Sequence, residues 1–168
     1  DNANDNANTN DNFDDNAKTD WTDFTFVPGF GLPKETGGQF RFELPPAGQA
    51  IFTGSQKTSR VFDLKEGERL EFRVDVEQAG AKDSFAVLGF IPTANSAGTL
   101  AGYGLAKSTT DALLTKGVSK YFVADAGAAA QIKNENITLV LILTAQNGAV
   151  TINGKVLDKA NNNAVLWD

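Results

Sequence analysis

Nine consecutive residues, RLEFRVDVE from Arg69 to Glu77, alternate between charged and apolar side chains without a break. Strand side chains alternate with period two, so Leu70, Phe72, Val74 and Val76 share one side while Glu71, Arg73, Asp75 and Glu77 share the other. One side packs and the other is wet. A chain that carries such a segment has to supply a second apolar surface to cover the packed side, which favours a layered β architecture.

From Phe24 onward the chain repeats this theme as short β-rich runs separated by turn signals. The candidate strands are FTFVP from Phe24, QFRFEL from Gln39, QAIF from Gln49, SRVFDL from Ser59, RLEFRVDVE, SFAVLGFIP from Ser84, GYGLAK from Gly102, KYFVA from Lys120, ITLVLILT from Ile137, AVTINGKVLD from Ala149 and AVLW from Ala164. About eleven strands predict an all-β, two-sheet antiparallel β-sandwich. ITLVLILT is almost continuously apolar, as expected of a central strand covered on both faces or lying on a concave sheet floor. QNG at 146–148 reads as a hairpin turn into AVTINGKVLD, where Val150, Ile152 and Val156 keep one parity. Gly154 falls on that parity, so a bulge or a close approach is expected there rather than a second hairpin. STTDALLTKG, 108–117, is the one short helix expected, with Ser108 or Thr109 as N-cap and Lys116 then Gly117 at its end. ADAGAAAQIKNEN, 124–136, reads as a loop.

Residues 1–12, DNANDNANTNDN, form a near four-residue polar repeat that cannot bury enough apolar area to offset chain entropy. The expected organisation is therefore a polar N-terminal segment over 1–12 and one sandwich domain over 13–168. Charge follows the same division. Residues 1–23 hold seven Asp against Lys18 alone, and the remaining residues balance at 14 acids and 14 bases, giving the net −6. Nucleic acid is not an expected partner, because phosphate neutralisation needs clustered Lys and Arg. No apolar run approaches the ~20 residues of a membrane-spanning helix. The chain has no Cys, His or Met. That removes thiolate nucleophiles, disulfides, Cys-based zinc sites and the usual general base. A Cys-free, Asn-rich composition suits an exported bacterial protein in mature form, so a secreted or cell-surface location is expected.

DNFDDNAKTDWTDF, GGQFRFELP, SRVFDLKEGERLEFRVDV and NITLVLILT with VTINGKVLD together resemble bacterial laminin-G-like, concanavalin-type jelly-roll modules. GYGLAKSTTDALLTKGVSKYF is similar to exported bacterial surface proteins with that fold. The resemblance covers roughly residues 12–168, and it implies a curved two-sheet jelly roll. Its motifs are strand patterns and turn residues, so it speaks to fold more than to function.

Three chemistries can be placed on named residues. Asp11, Asp14, Asp15 and Asp20 offer hard oxygen ligands for a structural calcium ion. The EF-hand pattern fails, since the first Gly is Gly29 and the first Glu is Glu35. The competing reading of this acidic stretch is a solvated linker. Tyr103 and Tyr121, with Trp21 and Trp167, offer flat rings for stacking on sugar. The two Trp flank the ends of the domain, where first and last strands often pair, so burying each other is their commoner role. Tyr103, between Gly102 and Gly104, is the ring expected to be accessible. Glu71, Asp75 and Glu77 share a strand face, where same-side neighbours stand ~7 Å apart, within the ~6.5–9.5 Å of an inverting glycosidase pair. Arg73 between Glu71 and Asp75 lowers carboxylate pKa values when a general acid needs a raised one, so the face reads as charge-paired rather than catalytic. NIT at 136–138 matches a glycosylation sequon, but its Asn precedes an expected core strand, so the match is discounted.

These readings lead to a non-catalytic extracellular structural or adhesive β-sandwich. Homo-oligomers or filaments are expected through its sheet edges, by strand addition. A carbohydrate-binding module with a polysaccharide partner is the alternative.

Overall fold

The structure is a computed structural model, and it describes residues 21–25, 33–41, 53–56, 62–77, 86–90, 102–108, 110–117, 122–123 and 129–168. These are strands and turns, with no α-helix among the described residues. The chain divides into two compact units, Asp1–Val61 and Phe62–Asp168.

In the first unit, β1 (Thr22–Thr25) pairs antiparallel with β4 (Thr53–Gln56), and β2 (Lys34–Glu35) with β3 (Phe40–Arg41). The β2–β3 hairpin turns through Gly37 and Gly38, whose φ values of 61° and 70° are the left-handed conformations a two-residue hairpin turn requires. Thr36 and Gln39 exchange backbone hydrogen bonds of 3.0 and 3.3 Å across it. Trp21 stacks on Phe40 with centroids 5.8 Å apart, and Asp23 accepts a hydrogen bond from the Ser55 hydroxyl on the neighbouring strand.

The second unit is built on β5 (Arg69–Glu77), β6 (Ala86–Phe90), β7 (Tyr103–Lys107), β8 (Asp111–Gly117), β9 (Phe122–Val123), β10 (Ala129–Gln131), β11 (Asn136–Gln146), β12 (Ala149–Asp158) and β13 (Ala164–Trp167). One antiparallel sheet runs β13-β12-β11-β5 and the other β10-β8-β7-β6, with β9 also on β8. Leu139, Leu141, Leu143 and Val156 of the first sheet share one apolar cluster with Leu105 and Ala112 of the second. Leu70, Phe72, Val74 and Val76 pack against that cluster, so the alternation of β5 puts its apolar side inward as expected. The all-β, antiparallel, sandwich-like architecture is thus established for this unit.

β11 is buried along both faces from Ile137 to Leu143. Its even-numbered Val140 and Ile142 form a second buried cluster with Leu157. This accounts for the near-continuous apolar run in the sequence. Asn147 and Gly148 connect β11 to β12 with φ values of 56° and 72°, the two positive angles of a type I′ turn, as the QNG signal predicts.

Two expectations need correction. Residues 111–117 are strand β8 rather than a helix. The capping signal was real, but it serves a hairpin: Ser108 Oγ accepts from the amides of Thr110 (3.2 Å) and Asp111 (2.9 Å), as in an ST-turn. Beyond it β8 is held by β7 on one side and by β9 and β10 on the other, so long-range pairing overrides weak local helix preference. Within the expected loop 124–136, Ala129–Gln131 instead pair with Leu113–Asp111 as β10. At Gly154, of the two alternatives expected, it is the close approach that occurs and not the bulge: the residue continues the β11–β12 register opposite Leu141, and a Cβ there would stand 3.0 Å from side-chain carbons of Leu105 and Leu114. The irregularity lies two residues later, between Val156 and Leu157 against β13. QAIF at 49–52 and the first three residues of SRVFDL lie outside the described residues, and Phe62, Asp63 and Leu64 carry no strand.

Candidate functional site

Two of the solvent-side carboxylates of β5, Glu71 and Asp75, are tied into the sheet. Glu71 receives Arg69 and Arg73, each at 2.5 Å, from the residues two before and two after it on the same side. Burial raises the Glu71 carboxyl, but the hydrogen bonds and charges of Arg73 and Arg69 outweigh burial and hold it below its ordinary value. Asp75 accepts from Thr138 Oγ1 at 2.6 Å, on the neighbouring β11, and from Lys159 Nζ at 2.6 Å. Burial again acts upward, while Lys159 and Thr138 together bring the Asp75 carboxyl below its ordinary value. Arg73 therefore acts on Glu71 as the sequence suggests, but Asp75 takes its cation from the turn after β12. Glu77 sits at the end of the ladder opposite Asn136. Groups held ionised in this way suit a charge-paired strand face, since a general acid needs its proton kept on.

Tyr103 is half-buried at the start of β7, between Phe90 and Lys116 in the register. It shares parity with Leu105, which is fully buried in the core, so its ring belongs to the core-facing side of the sheet. Gly102 and Gly104 are themselves buried, and so they do not open a surface around it. The ring expected to be accessible from its flanking glycines is half-buried. Tyr121 lies outside the described residues, as do Asp11, Asp14, Asp15 and Asp20. Among the described residues, no three acidic, His or Cys side chains gather as a metal site, and no helix is long and apolar enough to cross a membrane.

Trp21 has its partner in Phe40 of the first unit. Trp167 packs on the core of the second, lying over Gly154.

Two buried ionisable residues escaped the sequence reading, Lys107 and Glu35. Lys107 is 1% exposed at the end of β7, with Nζ donating to the carbonyl of Ser108. Burial pushes its pKa down, against the upward pull of Asp111 and Glu135. In the sequence it is one lysine among several, and only parity with Leu105 could have flagged it. Glu35, the buried carboxylate of β2, is equally silent in the sequence.

What the second unit leaves open is its margins. Among the described residues, β5 ends one sheet and pairs only with β11, so one side of its backbone faces outward. No protein-family model matches the chain, and neither the curated proteins nor the solved structures give a match.

Proposed function

We propose that the chain is a non-catalytic, extracellular structural or adhesive module of jelly-roll, concanavalin-like type, which associates through its sheet edges. The observation that carries this reading is the combination on β5 of a side-chain face ion-paired from Arg69 to Asp75 with an edge that no described strand covers. Glu71 and Asp75 of that face are held by cations already within the chain, while the backbone groups of the edge remain available for strand addition. The Cys-free, Asn-rich composition suits export, although absence of Cys is compatible with any compartment. A structural calcium held by Asp11, Asp14, Asp15 and Asp20 belongs to the same proposal, as a means of ordering the acidic segment. The carbohydrate-binding alternative draws less support, because Tyr103 shares the core-facing parity of its strand.

Solution mass by light scattering, on the intact chain in calcium and in excess chelator, tests the reading. A species larger than one chain is expected. If it shrinks in chelator, calcium is part of the assembly. A monomer in both conditions overturns association.

A further inference from the structure

We infer that β5 pairs antiparallel with β5 of a second copy about a two-fold axis at Phe72, joining two four-stranded sheets into one continuous sheet. This deepens the structural reading above and rests on it.

Backbone geometry selects which groups face outward. At the mouth of the ladder, Gly67 N donates to Ala145 O at 2.8 Å and Ala145 N to Glu68 O at 3.0 Å. With Gly67 at φ 83°, this is the hydrogen-bond pattern of a G1 bulge. Antiparallel alternation carried on from Glu68 assigns the peptide groups of Leu70, Phe72, Val74 and Val76 to β11. Those of Arg69, Glu71, Arg73 and Asp75 therefore point away from the sheet. A strand that binds there has to meet odd-numbered residues with its own outward-facing groups, and a second β5 presents the same set.

Charge then selects the register. The wet side of β5 reads plus, minus, plus, minus from Arg69 to Asp75. Turned antiparallel about Phe72, the sequence sets Arg69 opposite Asp75 and Glu71 opposite Arg73, each pair twice, and each with outward-facing backbone on both sides. Opposite charges directly across a ladder stabilise it, and like charges destabilise it. Sliding two residues one way sets Arg73 against Arg73 and Glu71 against Asp75. Sliding the other way sets Arg69 against Arg73 and Glu71 against Glu71. Odd slips place charged residues opposite apolar ones. Alternating charge normally protects an edge from unrelated strands. Here the same alternation is complementary to its own reverse.

The inward side agrees. Leu70, Phe72 and Val74 are only half-buried, whereas their partners Leu143, Leu141 and Leu139 on β11 are buried. In the paired register Leu70 meets Val74 of the other copy and Phe72 meets Phe72, so the apolar row left half-open at the edge is continued and covered. The arrangement is isologous and closes at two copies.

The test is sedimentation of the full chain over a concentration series, with far-UV circular dichroism of every variant to check the fold. Arg73→Glu sets Glu opposite Glu71 twice, and Glu71→Arg sets Arg opposite Arg73 twice. Each is expected to weaken dimerisation by about tenfold or more. Mixing the two variants restores opposite charges at every position, so the mixture is expected to dimerise when neither variant does alone. The double variant Glu71→Arg with Arg73→Glu is expected to dimerise like the original chain. Dimers that ignore the single substitutions, or a mixture that stays monomeric while the original chain dimerises, overturn the β5 register and leave association through another edge standing. An original chain that is monomeric at every concentration overturns both.

Discussion

Gly154 lies beneath Trp167 with no room between them for a side chain. A Cβ at position 154 would stand 3.1 Å from Trp167 Cζ3 and 3.0 Å from methyl carbons of both Leu105 and Leu114. The glycine on β12 therefore lets Leu105 and Leu114 of the other sheet and the indole of Trp167 close in on its backbone. Overpacking such a point forces side chains off their rotamers. Gly154→Val is expected to destabilise the unit by about 2 kcal/mol, and Gly154→Ala by less, because the leucine methyls can give by a few tenths of an ångström. Urea midpoints and the tryptophan emission maximum would check this. An unchanged midpoint for Val would show that the interface is slack.

Glu66 holds the tip of the β11–β12 hairpin. Its carboxylate accepts from Asn147 N at 2.5 Å and Gly148 N at 3.1 Å, knitting the turn before β5 to the turn after β11. Glu66→Ala removes two charge-assisted acceptors at an exposed site, so a loss of about 1 kcal/mol is expected. Amide exchange at Asn147 and Gly148 should accelerate with it. Protection that survives the substitution would argue against the clamp.

The carboxylates of β5 set an acid limb. Glu71 and Asp75 lie below their ordinary values of 4.5 and 3.8 when folded, so the unfolded chain takes up their protons first. Their contribution is present above those values and is lost as pH falls through the lower folded ones. Stability should therefore decline as pH drops below about 4. Lys159→Met should flatten the Asp75 part of that decline, and Arg73→Met the Glu71 part. Parallel stability curves for variant and parent between pH 2 and 6 would refute the assignment.

Lys107 has the opposite sign. Its folded pKa lies below the ordinary 10.5, so between those two values the unfolded chain binds more protons and stability rises with pH. Below the folded pKa the cost of the buried ammonium is fully present. Lys107→Met is expected to stabilise the protein at pH 7 by about 1 kcal/mol, with the difference narrowing near pH 10. A variant less stable than its parent at both pH values would mean that the bond to the Ser108 carbonyl outweighs desolvation.

The elements legible in the sequence are those whose information is local. The alternation of RLEFRVDVE gave β5 from Arg69 to Glu77, AVTINGKVLD gave β12 from Ala149 to Asp158, and AVLW gave β13, all with the bounds the structure shows. Asn147–Gly148 announced its own turn, because few residues other than Asn and Gly accept two successive positive φ angles. The candidate site was legible only in part. The proximity of Arg73 to Glu71 follows from a spacing of two on one strand, whereas Lys159 reaches Asp75 from 84 residues away.

By itself the sequence determined the class of fold, the inward and outward sides of the long strands, and the turn that joins β11 to β12, since each depends on side-chain periodicity or on the φ preferences of one or two residues. Only tertiary structure decided that 111–117 is a strand, that Gly154 makes room for Trp167, that Lys107 is buried and that β5 stands at an edge. Each of those depends on which strand lies beside which, and pairing between distant segments leaves no mark in the local pattern of either partner.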